Sequence, residues 1–464
     1  MPAPVVAFAN RLPVTGRRGA LRAAAGGLAT ALRPALESRR SAWVGWDGGI
    51  ADLPRRVEGL DVDLLPISLS RREIAEHYHG FSNRTLWPLL HAWLEPPVFE
   101  RTWWRTYREV NERFASVRLP RREALLWVHD YHLMLLPHLL RQRHGTAPIG
   151  FFLHTPFPSS ELWVRLPWRE ELIEGLLGAD VVAFHTGEYR DHFLRSCWRS
   201  RGDVRVDGTT VTTPDGRRVR AEVHPISIDA GDFAERTAAS GVDRCLRPLA
   251  RQFEGRRVLL GVDRLDYTKG ILERLHALEL LLEQRRDLRG RITLVQIAVP
   301  TRGEVREYET LHRQVEELVG RINGRFTEPG HDVPVHYLYR GVPGDRLLAY
   351  YRLADVCLVT PLRDGMNLVA KEYVTVQAAA GGAGVLVLSE FTGAAAQLWD
   401  AVRCNPWDTQ GLANAIAAAL ELDEEDRRTR IANMASSVHE HDVFWWVNQE
   451  LAALESRAGI APKR

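Results

Sequence analysis

The amino-acid sequence predicts an α/β protein built as two Rossmann-like, doubly wound domains facing each other across a cleft. Three observations carry that expectation. Short apolar, β-branched runs alternate with amphipathic helical stretches along all 464 residues, the rhythm of βαβ units. The runs are continuously apolar rather than alternating, as parallel strands covered on both faces are. The series is broken near its middle by a stretch of different character, which suits the two or three domains the length allows.

In chain order, the first strand candidates are VVAFAN (5–10), AWVGW (42–46), DVDLLPIS (61–68), ALLWVHD (124–130), IGFFLHT (149–155) and DVVAFHT (180–186). Between residues 203 and 224 the chain reads DVRVDGTTVTTPDGRRVRAEV, whose two Asp-Gly pairs predict β-hairpins. The stretch SIDAGDFAERTAASGVDR (227–244) has few strand signals and marks the domain boundary. The strands resume with RVLLGVDRL (257–265), TLVQIAV (293–299), VHYLYRG (335–341), DVCLVTPL (355–362) and GVLVLSE (384–390). The expected division is residues 1–232 and 233–440, with a C-terminal helix, about 441–464, packing back on the first domain. Ligands of such sheets lie at the carboxyl ends of the strands, and the motifs of this chain fall there.

Composition narrows the function classes. A net charge of +2, with 45% hydrophobic and 26% charged residues, fits an ordinary globular protein and points to neither nucleic acid nor membrane. No apolar stretch approaches a membrane span, and the N-terminus MPAPVVAFANR lacks the features of a signal peptide. The four cysteines are scattered without a CxxC pair, which indicates neither a disulfide framework nor a zinc site. A cytoplasmic protein is expected. Of 61 basic residues only three are lysine, Lys269, Lys371 and Lys463. Where arginine serves as the general cation, a retained lysine suggests a job for a compact ammonium. The plain alternative is chance retention.

In GVDRLDYTKGI (261–271), Arg264 and Lys269 stand at a strand end in a turn that Gly270 closes into a helix. A fork-shaped donor beside a point charge suits a diphosphate; the alternative is two solvated charges beside Asp263 and Asp266. In PLRDGMNLVAKEY (361–373), Gly365 is expected to turn the backbone and Asn367 to cap the following helix. The backbone N–H groups from Gly365 through Met366 to Leu368 would then face an anion. Glu372 would lie roughly 7.5 Å along that helix, within reach of a sugar hydroxyl of the same ligand. The carboxylates of Asp364 and Glu372 would also suit an inverting hydrolase pair, but a hydrolase needs neither an anion nest nor an Arg/Lys clamp. Arg11, at the end of the first strand, is a phosphate candidate or a surface charge, and Gly26 and Gly27 make a flexible loop before a helix. His129, Asp130 and His132 in HDYHLMLLP hint at a metal, yet no further ligands at suitable spacing follow. His154 sits in the rigid loop HTPFP, where a structural role is the simpler reading, and the DxD in LDVDLL reads as a strand with one polar face. Tyr78 and Trp87 in YHGFSNRTLWP are able to stack on a sugar, whereas Trp103, Trp104, Trp445 and Trp446 read as core.

Taken together, NRLPV, GGL, WVGWDG, YHGFSNRTLWP, WVHDYHL, HTPFPSSE, LPWREELIEGLLGAD, GVDRLDYTKGI, EELVGRINGRF, TPLRDGMNLVAKEY and NPWDT, in this order over nearly the whole chain, resemble the trehalose-6-phosphate synthase family of retaining nucleotide-sugar glycosyltransferases. The resemblance implies a GT-B type fold and transfer of glucose from a nucleoside diphosphate glucose to glucose 6-phosphate. It implies no protein nucleophile, no metal and no cofactor beyond that co-substrate. It assigns Arg264 and Lys269 to the donor diphosphate, Glu372 to the ribose, and the backbone around Asn367, Leu368 and Val369 to the phosphates. Gly26 and Gly27 would close over the donor, His154 and Asp364 would hold its glucose, and Val342 would line the base pocket. Arg11, Tyr78, Trp87, Asp130 and Arg302 would hold glucose 6-phosphate. The catalytic group is then Asp130, His154, Arg264, Lys269 and Asp364. UDP-, GDP- and ADP-glucose all fit, because the segment around GVPGDR varies in the family. Gly187 departs from the aromatic residue the family usually carries. No phosphatase domain follows residue 455, so a separate phosphatase is expected to act on the product, and a homo-oligomer is possible. The competing readings are a pseudo-glycosyltransferase joining cyclitols through a C–N bond, a transferase with another acceptor, and a non-catalytic sugar-phosphate sensor.

Overall fold

The computed structural model describes residues 3–17, 20–23, 31–33, 36, 37, 39, 41–50, 52–93, 96–120, 124–301 and 306–457. The chain forms two units, Met1–Ile226 with Val443–Arg464, and Ser227–Asp442. Each is built on one sheet.

The first unit has β1 (Val5–Arg11), a hairpin of β2 (Val14–Arg17) and β3 (Ala20–Ala23), then β4 (Ala42–Trp46), β5 (Asp63–Ile67), β6 (Leu125–His129), β7 (Ile149–Phe152), β8 (Val181–Phe184), β9 (Arg205–Asp207), β10 (Thr210–Thr212) and β11 (Arg218–Val223). Its nine-stranded sheet runs β5-β4-β1-β6-β7-β8-β11-β10-β9. Pairing is parallel from β5 through β11 and antiparallel across the last two strands. The central strands are buried along their whole length, as LLWVH in β6 and VVAF in β8 are. That burial is why they read as unbroken apolar runs. Both Asp-Gly turns are present, with Gly208 and Gly216 at φ 56° and 82°. They join β9 to β10 and β10 to β11 as antiparallel hairpins, and β11 also pairs in parallel with β8, which ties the meander into the main sheet.

The helix Val443–Arg457 belongs to this unit and packs on β7 and β8. Gly150 in β7 makes room for it, since a Cβ there would stand 3.0 Å from Leu454. Trp446 is fully buried 5.3 Å from Trp127, and Glu450 accepts from Trp127 Nε1 at 3.1 Å. Gly187 opens the helix Gly187–Ser200, where an added Cβ would meet nothing nearer than Arg190 at 3.7 Å, so nothing in the local packing demands glycine.

The second unit has β12 (Arg257–Arg264), β13 (Ile292–Val299), β14 (Val335–Leu338), β15 (Val356–Val359), β16 (Val385–Ser389) and β17 (Val402–Cys404). All pair in parallel in the order β14-β13-β12-β15-β16-β17. A core of Leu259, Leu275, Leu278, Leu294, Val315, Ile322, Leu358, Val387 and Ile416 joins sheet and helices. β17 and the β2–β3 hairpin have no counterpart among the expected strands. Both are short, and β17 (VRC) puts an arginine at its centre. No described helix is long and apolar enough to cross a membrane.

Candidate active site

In the second unit, two loops at strand ends are pressed together. Arg264, exposed, ends β12, and the loop after it carries Lys269, 8% exposed. Its shape is set from below. Asp266, fully buried, accepts from Thr268 N–H at 3.1 Å, from Thr268 Oγ1 at 2.9 Å and from Tyr308 Oη at 3.0 Å. Beneath it the fully buried Arg274 donates to Asp263 and Gln296, each at 2.7 Å, and to Thr360 Oγ1 at 3.1 Å. A buried guanidinium is tolerable only with such pairing. Gly270 (φ 63°) then starts the helix Ile271–Gln284, and a Cβ there would fall 2.0 Å from the Thr360 carbonyl oxygen. Glycine thus lets the clamp loop touch the end of β15.

The loop after β15 carries Asp364. Its carboxylate accepts from Lys269 Nζ at 2.5 Å, from Gly365 N–H at 2.9 Å and from Asn367 Nδ2 at 3.1 Å. Two details differ from the sequence reading. The left-handed residue in this turn is Asn367 (φ 67°), not Gly365; the Gly365 carbonyl lies against Gly393, where an added Cβ would come within 2.0 Å of it. Asn367 occupies the N-cap of the helix Leu368–Ala379, but its side chain turns back to Asp364 instead of capping, and the Gly365 N–H serves Asp364 as well. The anion-facing backbone therefore begins beyond Gly365. Met366 is buried, while Asn367, Leu368 and Val369 are half-buried at the helix start, where the first N–H groups lack helical partners. Glu372, the fifth helical residue, is also half-buried. Burial pushes its carboxyl above the usual range, against a 2.7 Å hydrogen bond donated by the buried Tyr351 Oη. Lys371 is 1% exposed, and burial pushes it down to about 7. Val342 is half-buried in the loop between β14 and the helix Gly344–Leu353.

In the first unit a second cluster forms at the strand ends. Arg11 and Trp46 end the neighbouring strands β1 and β4 in direct register, and the Arg11 guanidinium lies over the Trp46 ring at 5.4 Å. Gly48 (φ 70°) leaves the space it fills, since a Cβ there would meet Arg11 Nη2 at 2.7 Å. Tyr78 comes from a 13-residue π-helix, Ile74–Leu86, a rare form often found at functional sites. Its ring stands 6.3 Å from Trp46 and stacks on His132 at 5.8 Å. Asp130 follows β6 with φ 74° and ψ 165°. Its carboxylate lies 3.9 Å from His132 Nδ1 and accepts the His154 N–H at 3.3 Å. Trp87 is 5% exposed, with its ring on His91 and Tyr131, so it backs the cluster and exposes little surface of its own.

His154 is half-buried. His129 Nδ1 lies 3.2 Å from its Nε2, and His185, Phe152 and Trp446 wall the ring. Burial first, and a neighbouring imidazole second, hold both His129 and His154 well below the usual histidine range. Arg11, Tyr78, Trp87, Asp130 and His154 are thus linked on one unit, and Arg264, Lys269, Asp364, Asn367 and Glu372 lie on the two loops and the helix of the other. Gly26, Gly27 and Arg302 lie outside the described residues. No group of three or more His, Cys, Asp or Glu suited to a metal occurs among the described residues; His129 turns to His154 and His132 to Tyr78. The DxD acids have structural surroundings, Asp63 pairing with Arg55 and Arg56. Trp46 is a neighbour of Arg11 that the sequence reading misses, and His129 and His132, weighed there as metal ligands, stand instead against His154 and Tyr78. The motif WVGWDG contains Trp46, and strand adjacency of β1 and β4 is the signal that places it beside Arg11.

The chain belongs to glycosyltransferase family 20, which matches residues 5–456. Its fold is of the GT-B type. The chain is 45% identical over 465 residues to trehalose-6-phosphate synthase of Mycobacterium sp. (strain JLS), covering 97% of this chain and 95% of the relative. It matches a crystal structure of a UDP-forming α,α-trehalose-phosphate synthase from Burkholderia xenovorans in complex with glucose-6-phosphate, at TM-score 0.88 and 34% identity, over 97% of this chain and 100% of that one. It also matches a structure from E. coli bound with UDP-2-fluoro glucose, at TM-score 0.89 and 35% identity, over 99% of this chain and 100% of that one.

Proposed function

We propose that this chain transfers glucose from a nucleoside diphosphate glucose to the anomeric hydroxyl of glucose 6-phosphate, giving α,α-trehalose 6-phosphate and the nucleoside diphosphate with retention. The observation that carries the reading is the pair of fused loops in the second unit. They bring Lys269 and Asp364 into contact beside a helix N-terminus, with Arg264 at the end of β12 and Glu372 a turn into the helix. Arg264 and Lys269 take the diphosphate, the N–H groups at Leu368 and Val369 take a phosphate oxygen, Glu372 the ribose, and Asp364 and His154 the glucosyl hydroxyls. On the acceptor side, Arg11 and Arg302 grip the 6-phosphate while Tyr78 and Asp130 hold the sugar, with Trp87 behind them.

The acceptor oxygen bonds to C1 of the donor glucose as the bond from C1 to the β-phosphate oxygen breaks. The acceptor's proton passes to that departing oxygen on the same face. No protein nucleophile takes part. Lys269 and Arg264 stabilise the charge growing on the diphosphate, so catalysis is positioning plus electrostatics. The same cations supply the neutralisation that a divalent metal supplies in other transferases, and the reaction runs without one. A separate phosphatase removes the product's phosphate, and the cytoplasm is the place of reaction. The likeness to a UDP-forming synthase and to a structure bound with UDP-2-fluoro glucose favours a UDP-linked donor.

The test is an end-point assay of the purified chain with glucose 6-phosphate and UDP-, GDP- or ADP-glucose in turn, following nucleotide release and product mass. A disaccharide phosphate with one donor supports the reading and fixes the base. Glucose 6-phosphate binding without turnover of any donor would overturn it in favour of a sensor.

A further inference from the structure

Lys269 and Asp364 are bonded to each other, with side chains 11 and 13% exposed. In the proposed function, on which this inference rests, one recognises the donor's diphosphate and the other its glucosyl group. The two recognitions are therefore not independent. We propose that Asp364 also sets the selectivity between the intact sugar nucleotide and the spent nucleoside diphosphate, by competing with the diphosphate for Lys269.

A phosphate oxygen and the Asp364 carboxylate are both anionic acceptors for one ammonium, and both bonds are charge-assisted. When the intact donor draws Nζ toward its diphosphate, its glucosyl hydroxyls donate to Asp364 and replace what the carboxylate loses. The nucleoside diphosphate brings no such hydroxyls. It draws on the same ammonium and leaves Asp364 facing a second anion, in a loop whose position is fixed by Gly270 against Thr360 and by Gly365 N–H and Asn367 Nδ2 on the carboxylate itself. The loop cannot swing away to relieve this. Substrate is held and product is expelled, and the change occurs when the bond from C1 to oxygen has broken and the glucosyl group has left.

The experiment is a double-mutant cycle read by calorimetry, titrating the nucleoside diphosphate and its glucose ester into wild type, Asp364→Asn, Lys269→Ala and the double variant. Asparagine keeps an oxygen for the Gly365 N–H; Asp364→Ala repeats the cycle should the amide disturb the loop. Expected is diphosphate binding about tenfold tighter in Asp364→Asn, the size of one charge-assisted hydrogen bond, with weaker binding of the glucose ester. In the Lys269→Ala background the same substitution should gain nothing. An unchanged affinity in Asp364→Asn, or an equal gain in both backgrounds, overturns the proposal, the latter by showing plain charge repulsion. Lys269→Ala with undiminished diphosphate affinity would instead remove the diphosphate role of Lys269 and the functional reading built on it.

Discussion

Asp130 holds a backbone conformation, φ 74° and ψ 165°, that is close to glycine-only and costs of order 1–3 kcal/mol for other residues. Its surroundings impose it. Its N–H donates to the Phe152 carbonyl at 2.8 Å, its carbonyl accepts from Leu133 N–H at 3.1 Å, and the next carbonyl, of Tyr131, accepts from Tyr107 Oη at 2.7 Å. Strain kept in place by so many bonds beside His132 and His154 is strain retained for the carboxylate. Asp130→Gly should therefore raise thermal stability, by about 1 kcal/mol once the extra chain entropy of glycine is deducted, while transfer falls steeply. A melt of the variant below wild type would show that no strain is stored there. Trp46 is a different case. It meets no substrate in the proposed assignment but shelves the Arg11 guanidinium, a contact worth about 0.5–1 kcal/mol. Trp46→Leu should raise KM for glucose 6-phosphate about threefold and leave KM for the donor unchanged. Equal shifts in both would detach Trp46 from the acceptor.

Among elements, the junction of the clamp loop with β15 depends on Gly270. Gly270→Ala adds a methyl 2.0 Å from the Thr360 carbonyl oxygen at a φ of 63°. Neither the backbone oxygen nor the turn has room, so the second unit should lose about 2–3 kcal/mol and donor affinity should fall with it. Unchanged melting and binding would mean that the loops are not pressed together. The strands around this junction were legible because buried parallel strands are apolar throughout, and Lys269 was legible because the chain spends so few lysines. The rest was not, for physical reasons. The left-handed turn went to Asn367 and not Gly365, and the close approach beside it, of Gly393 to the Gly365 carbonyl, is a contact that sequence spacing does not reveal. The π-helix at residues 74–86 has no period that a 3.6-residue reading would register. Trp46 under Arg11, and His129 behind His154, are contacts between strands far apart in sequence, and they become visible once the strand order is known.

At the scale of the whole molecule, the chain returns to its first unit for its last helix, and one buried cluster fastens it. His224, just past β11, lies 2.6 Å from Glu450 through Nδ1 and 3.1 Å from Glu222 through Nε2. Burial alone would lower this imidazole, but the hydrogen bonds its ring N–H groups donate to the two carboxylates outweigh it and hold it at about 9. Burial pushes Glu450 the other way, upward, yet with acids on both ring nitrogens the protonated imidazole is the form this cluster holds. A histidine whose folded value is raised contributes stability fully below its unfolded value of about 6.5 and loses it as pH rises through the folded value. The first unit should accordingly lose about 2–3 kcal/mol between roughly pH 6.5 and 9, with the helix Val443–Arg457 loosening first. Trp127 and Trp446 report on that helix directly, because Trp127 donates to Glu450 and Trp446 packs beside it. Tryptophan fluorescence followed through thermal melts at stepped pH should show the alkaline loss in wild type and a much flatter profile in His224→Gln, which keeps hydrogen-bonding capacity without the titrating ring. A wild-type profile that is flat from pH 6 to 10, or a variant as pH-sensitive as wild type, would mean that the imidazolium does not hold the returning helix.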